Sequence, residues 1–236
     1  PYRVFDLAFP DKILEAFADI KVLLHCAGPF IHTAEPMVKA CIQSATHYLD
    51  ITGEYQVFEL MHSKNAEAQK AGIVVMPGVG FDVVPSDCLA NHLKKRMPLA
   101  TKLELALYQI NGRLSHGTAI TVAENMGNGC MIRSGGELKR TPQGDIVRTI
   151  NILGKEKTGV AISWGDISTA YFSTGIPNIT VYNILPASLI SKMKLVETLG
   201  FIFRSKLVKS FLIQQIKRKP AGPDAEMRSK ASGVIW

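Results

Sequence analysis

The sequence predicts an α/β protein, with a mainly parallel sheet followed by an α+β unit whose sheet is mixed and partly antiparallel. Three observations carry this. Short apolar runs alternate with helical apolar stripes over residues 3–97, the pattern of strand–helix–strand units. Near residue 100 the pattern changes, and Lys102-Leu-Glu-Leu-Ala-Leu-Tyr108 alternates with a period of two, as a half-exposed strand does. Between them, the run Ile73–Met76 breaks on Gly78 and Gly80 into the helical stripe Leu89, His92, Leu93, Arg96 and Met97. A strand that breaks on glycines into a helix is where α/β enzymes place a ligand.

Arg3–Leu7 is expected as a first strand, and Ile13, Leu14 and Phe17 mark a helix over Pro10–Ala18. Lys21–Cys26 reads as a buried strand. Thr33 is a candidate cap for a helix running to Ser44, with Pro36 in its first turn. Tyr48–Ile51 is a short strand, and Glu54–Ala71 a long helix stopped by Gly72. Ile73–Met76 is another strand, and Pro85 opens the next helix. With alternation of this kind, the parallel sheet is expected to be covered on both faces. Beyond Tyr108, a helix is predicted around Gly117–Met126 and strands at 147–152, 158–163 and 178–184, with turns at Gly135-Gly136 and Pro142-Gln-Gly144. Residues 187–216 read as helix, with a break at Gly200. The tail from Lys217 is polar and basic.

The 236 residues suffice for one large domain or two small ones. Three units are expected: 1–100, 101–191 and a basic segment over 192–236. No apolar run approaches the roughly 18 residues of a membrane span, and no secretory signal pattern is visible. Cys26, Cys41, Cys88 and Cys130 form no C-x-x-C pair, which fits reduced thiols in the cytoplasm. The net charge of +7 resides in residues 192–230, which hold ten basic and three acidic side chains. Leu199, Phe201, Leu207 and Phe211 interleave with these cations. The segment 192–219 therefore suits either peripheral contact with an anionic membrane or a packed helix with a solvated basic face. Nucleic acid is not expected as a partner, since no known binding module is present.

Three turns stand out. His25-Cys-Ala-Gly-Pro-Phe30 follows a strand. Gly28 permits close backbone approach there, Pro29 stiffens the turn and Phe30 offers a flat apolar face. Asp50 and Glu54 flank Gly53 at a strand end. They read either as an acid–base pair or as a cap for the helix that begins near Glu54. Gly78-Val-Gly-Phe-Asp82 carries two glycines of a dinucleotide fingerprint without the third. Zinc-hydrolase, α/β-hydrolase and P-loop motifs are absent. No tyrosine has a lysine four residues on, so short-chain dehydrogenase chemistry is not supported.

The segments Leu24–Phe30, Glu35–Cys41, Thr46–Glu54 and Gly78–Asp87 resemble the saccharopine dehydrogenase-like NADP-binding oxidoreductases. So do Trp164-Gly-Asp166, Ser173–Asn178 and Ser232–Trp236. Trans-acting enoyl reductases of lipid biosynthesis are one branch of that family. The resemblance implies the C-terminal part of a Rossmann-like sheet, a substrate-side α/β unit, NADP as cofactor, and hydride transfer to or from an enoyl, imine or carbonyl substrate. It implies contact with the cofactor at Cys26, Gly28, Pro29, Phe30, Gly78, Gly80 and Phe81; Asp82 and Glu54, the acids of these turns, are the candidates for orienting substrate or moving a proton. The family opens with a strand, a glycine-rich phosphate loop and a helix, which this sequence does not contain. The chain, starting at Pro1, is thus expected to be a piece lacking both ends. Unpaired strand edges in such a piece would favour homo-oligomers. A non-catalytic, membrane-associated adaptor that keeps the fold without cofactor is the alternative reading.

Overall fold

The computed structural model describes residues 2–112, 115–220 and 222–236. The first part contains α1 (Pro10–Phe17), β1 (Val22–His25), α2 (Phe30–Gln43), β2 (His47–Asp50), α3 (Tyr55–Ser63), α4 (Asn65–Ala71), β3 (Val75–Met76) and α5 (Val84–Arg96). Strands β1, β2 and β3 form a parallel sheet in that order, with Leu24 opposite Leu49 and Leu49 opposite Met76. Leu23, Tyr48 and Val75 point into a core with Ile13, Phe17, Val38, Val57 and Met61. Val22, Leu24, Val74 and Met76 lie on the other face and are 50–56% exposed. The expected cover on both faces is therefore corrected. Right-handed crossovers that advance in one direction put their helices on the same side of the sheet.

Other departures are local. Arg3–Leu7 is not a strand: Arg3 donates to Asp19 at 2.7 Å and Phe5 packs edge-on against Phe17, which ties the segment to α1 by side chains instead. Helix α2 begins three residues before Thr33, whose hydroxyl donates back to the Ala27 carbonyl, and Pro36 sits inside the helix. The long helix divides at Lys64, and Gly72 closes α4 in the left-handed conformation at φ 68°.

The second part contains β4 (Lys102–Ile110), α6 (His116–Asn125), β5 (Cys130–Ser134), β6 (Glu137–Thr141), β7 (Val147–Ile152), β8 (Lys155–Ala161), α7 (Asp166–Thr174) and β9 (Asn178–Ile184). It continues with α8 (Ala187–Thr198), α9 (Gly200–Phe203), α10 (Lys206–Lys217), α11 (Ala225–Lys230) and β10 (Ser232–Ile235). Seven strands make a mixed sheet. β4 pairs in parallel with β9 and antiparallel with β10, and the far edge of β9 carries β5 at Ile179 and β8 from Tyr182 to Ile184. The hairpins β5–β6 and β7–β8 complete it. One face buries Leu103, Leu105, Ile179 and Val181 against α7, and the other buries Ala106, Ile150, Ile152 and Tyr182. Each such Ile or Val contributes about 1.5–3 kcal/mol.

The two sheets are joined through α3 and α7. Arg133 on β5 is buried and ion-paired with Glu59 on α3. Ser168 Oγ donates to the same carboxylate at 2.6 Å, and the Arg133 guanidinium lies 4.3 Å over the Tyr171 ring. Removing Glu59 would leave a buried cation unpaired, the costly way to break an ion pair. His62 stacks on Phe172 at 3.9 Å between ring centroids.

Candidate functional site

The carboxyl ends of β1, β2 and β3 all point to one crevice, and a turn follows each. Asp50, at the end of β2, is fully buried and organises them. Its carboxylate accepts from Tyr48 Oη at 2.8 Å, Thr52 N at 3.0 Å and Gly78 N at 2.8 Å, while its carbonyl accepts from Val79 N. The β2 and β3 turns are thereby locked together. His25, also buried, lies with Nε2 at 3.1 Å from the Ala27 carbonyl, which only accepts, so that nitrogen carries a hydrogen. Its Nδ1 lies 3.1 Å from the Tyr48 hydroxyl, and burial holds its pKa below the ordinary histidine value. The Tyr48 hydroxyl thus lies between Asp50 and His25, where the β2 and β1 ends meet.

Glu54 performs a second tie. The sequence offered it as a cap for the helix that follows, but its side chain caps α2, twenty-three and twenty-four residues earlier in the chain. Phe30 N and Ile31 N donate to its two oxygens at 3.1 and 2.7 Å. Carboxylates are favoured there by the unsatisfied N–H groups and the helix dipole. Thr121 Oγ1 on α6 adds a 3.4 Å contact, which brings the second unit over the crevice.

The remaining candidates are distributed as follows. Cys26 and Gly28 are exposed on the β1 turn, and the Gly28–Pro29 peptide bond is cis. Phe30 turns inward, edge-on to His25 at 5.1 Å. Gly78 adopts φ +72°, and a Cβ there would lie 2.5 Å from the Phe58 ring and 2.6 Å from Val83. Gly165, before α7, meets the same two side chains at 2.5 and 2.9 Å, so Phe58 and Val83 fill space that both glycines leave. Gly80 lies against Ile51. Phe81 is 76% exposed at the rim, the one flat apolar ring of the predicted set that faces outward. Asp82 has an exposed surface but packs on Gly53, and its crowding pushes the carboxyl above the ordinary range. Trp164 Nε1 donates to the Asp82 carbonyl at 3.1 Å, closing the crevice from the second unit.

Asp166 escaped the reading of the sequence, which used it only within Trp164-Gly-Asp166. It is fully buried at the start of α7, and neither carboxylate oxygen has a hydrogen-bond partner among the described residues. Burial, and then the nearby carboxyls of Asp87 and Asp82, push it up to about 7. The available signal was an acid opening a helix with no other charged side chain. The thiols divide: Cys41 and Cys130 are buried, with burial pushing them up to about 12 and about 11, whereas Cys26 and Cys88 are exposed. Among the described residues no cluster of His, Cys, Asp or Glu suits a metal ion, and no helix is long and apolar enough to cross a membrane.

A mouse saccharopine dehydrogenase-like oxidoreductase is 37% identical over 95 residues, 40% of this chain and 22% of that protein. Over this stretch the chain is similar to the saccharopine dehydrogenase-like oxidoreductases. A trans-acting enoyl reductase of Mycobacterium ulcerans is 32% identical over 41% of this chain and 23% of its own. A Caenorhabditis elegans protein named for lipid droplet localisation is 31% identical over 39% of this chain and 22% of its own. The match therefore spans about a fifth of each relative's length. No family model matches the chain. In fold, the chain resembles apo saccharopine dehydrogenase (L-Glu forming) of Saccharomyces cerevisiae, with a TM-score of 0.54 at 16% identity, over 96% of this chain and 59% of that one. This supports the expected Rossmann-like first sheet followed by a mixed sheet.

Proposed function

We propose that this chain forms the crevice of an NADP-dependent oxidoreductase. In this reading a hydride passes between the nicotinamide and an enoyl, imine or carbonyl substrate held between the two sheets. The observation that carries the reading is the convergence of three turns at the carboxyl ends of parallel strands, locked by Asp50 and Glu54 and faced by Trp164 and α6.

The residues present fit one end of such a cofactor. Gly28 leaves backbone open to approach, and Phe81 and Ile51 give the rim an apolar surface. The α2 N-terminus, a ready anion site, is already filled by Glu54, so phosphate groups do not fit there. What suits this crevice is the nicotinamide and ribose end rather than the phosphates. The cofactor supplies the hydride when bound. The chain's own part is to orient the ring through the Gly28 and Gly80 turns and to hold or move a proton at the Asp82 carboxyl. Glu54, with both oxygens engaged by α2, serves as a positioning group. Replacing Asp82 with Asn in the full-length enzyme should lower turnover by more than about tenfold, the lower range for a lost acid–base group. Unchanged kinetics would remove Asp82 from the mechanism.

One observation favours a second reading, a membrane-associated adaptor. Leu207 and Phe211, one turn apart on α10, are 84% and 59% exposed, and Phe201 on α9 is likewise exposed. Among the described residues no carboxylate pairs with Lys192, Lys194, Arg204, Lys206, Lys217, Arg218 or Lys219 around them. Exposed apolar side chains ringed by cations suit an anionic lipid surface, and the name of the nematode relative points the same way. Membrane contact by itself also suits a peripheral enzyme in the cytoplasm that acts on a lipid-like substrate, whereas the adaptor would be non-catalytic and would bind no cofactor. Homo-oligomer formation through the open edge of β1 accompanies this proposal.

A further inference from the structure

A cavity of about 530 Å³ lies beside β3, the end strand of the parallel sheet. Its walls come from α3, α4 and the β3 segment of the first unit and from α7 of the second. The volume falls within the roughly 300–1,000 Å³ of small-molecule sites, which favour the junctions between units. The floor is apolar, since Phe58, Met61, Ala68 and Ile73 are all buried. One wall is a flat aromatic pair, His62 stacked on Phe172 at 3.9 Å with 8° between the ring planes.

The polar groups sit at the rim. Asn65 and Gln69 line the cavity from one side of α4, four residues apart, and both are exposed. Each side-chain amide offers donors beside an acceptor. Thr169 and Ser173 complete the lining, and Ser173 Oγ donates to Asp87 on α5 at 2.9 Å. No lining residue is Lys, Arg, Asp or Glu. A phosphate would find no lysine or arginine here and would face the Asp87 carboxyl behind Ser173. Phe58 belongs to the crevice as well as to the cavity. It occupies the space left by Gly78 and Gly165, where an added Cβ would lie 2.5 Å from its ring in either case.

We propose that this cavity is a second ligand site that takes an uncharged adenine base or nucleoside. The base ring lies on the His62–Phe172 wall, and Asn65 and Gln69 read its edge. Stacking on His or Phe with hydrogen bonds to the base edge is how proteins hold an unpaired base. An Asn or Gln amide matches adenine N6 and N7 together. The lack of lysine and arginine selects the nucleoside over a nucleotide or a nucleic-acid strand, whose phosphates call for cations. The site is separate from the crevice turns, and the inference does not rest on the cofactor reading. A ring seated against Phe58 also reaches the turn after β3, because Gly78 rests on the same side chain.

The test is a titration of the chain with adenosine, followed by NMR of backbone and side-chain amides. Half-saturation is expected below about 1 mM. Shifts should concentrate at the Asn65 and Gln69 side-chain amides, His62, Phe172 and Ser173, with a smaller one at Gly78. The double change Asn65→Ala and Gln69→Ala should weaken binding at least about tenfold. Both positions are exposed, so its circular dichroism spectrum should match that of the parent chain. Should the double variant fail to fold, Gln69→Ala alone gives the same reading at about threefold or more. Adenosine monophosphate should bind no more tightly than adenosine. The proposal is overturned by an absence of shifts at the cavity at about 5 mM adenosine. Unchanged affinity in the folded variants overturns it too, as does a nucleotide that binds tenfold more tightly than the nucleoside. Benzyl alcohol binding as tightly as adenosine would show an apolar cavity that reads no base edge, and would likewise overturn it.

Discussion

Asp50 and Asp166 are both fully buried carboxyls, yet Asp50 accepts three hydrogen bonds while neither oxygen of Asp166 has a partner within hydrogen-bond geometry among the described residues. That difference has a pH consequence. The folded-state pKa of Asp166, about 7, lies above its unfolded value of about 3.9, so the folded chain holds an extra proton between those limits. Its contribution is fully present below about pH 4, is lost as pH rises to about 7, and is constant above that. Asp166→Asn should therefore raise Tm at pH 8 by about 4 °C or more and leave Tm at pH 4 nearly unchanged. Equal effects at the two pH values would contradict the assignment. Glu54 carries a prediction of the opposite sign. Glu54→Ala removes both partners of the α2 N-terminus and should cost about 1–2 kcal/mol in urea unfolding. A loss below a few tenths of a kcal/mol would mean that water caps the helix equally well. The turns that hold Asp50 and Glu54 were legible, because glycines and acids at strand ends have local causes. Glu54's true partner and Asp166's isolation were not, since both arise from segments far apart in sequence.

At the scale of elements, the helices and strands with a clear period were placed within a few residues. The failures share a cause. Helix α7 reads Asp-Ile-Ser-Thr-Ala-Tyr-Phe-Ser-Thr, with polar residues that serve the α5 seam and blur its apolar stripe. Strand β10 is four residues, two of them Ser and Gly, and exists because β4 offers it an edge. The 187–216 stretch shows the converse, a sound helical pattern that the chain bends at Leu199 and again at Arg204–Ser205. Helix α10 buries no residue fully: Val208, Leu212, Ile213 and Ile216 are half-buried, whereas Leu207 and Phe211 are exposed and add little to the fold. The double change Leu207→Glu and Phe211→Glu should leave stability within about 0.5 kcal/mol. It should also abolish co-sedimentation with phosphatidylserine-containing vesicles. Retained binding would show that another surface meets the lipid.

Over the whole molecule, two sheets with different duties meet along α3, α5 and α7. The parallel sheet presents its turns, and the second unit supplies Trp164, Thr121 and the buried Asp166. The parallel sheet is covered on one face only, a feature that periodicity cannot reveal because an exposed Val or Leu reads the same as a buried one. The shape of the crevice was foreshadowed by the order of its three turns. Its electrostatics were not, for they depend on which acids the second unit brings near. The central claim is that the turns after β1 and β3 receive a nicotinamide ring. It is tested most directly by backbone amide NMR of this chain titrated with reduced nicotinamide mononucleotide. The account predicts shifts concentrated at Ala27, Gly28, Gly80 and Phe81, weakened in Phe81→Ala. Shifts confined to the cavity at Thr169 and Ser173, or an absence of shifts at millimolar ligand, would contradict it.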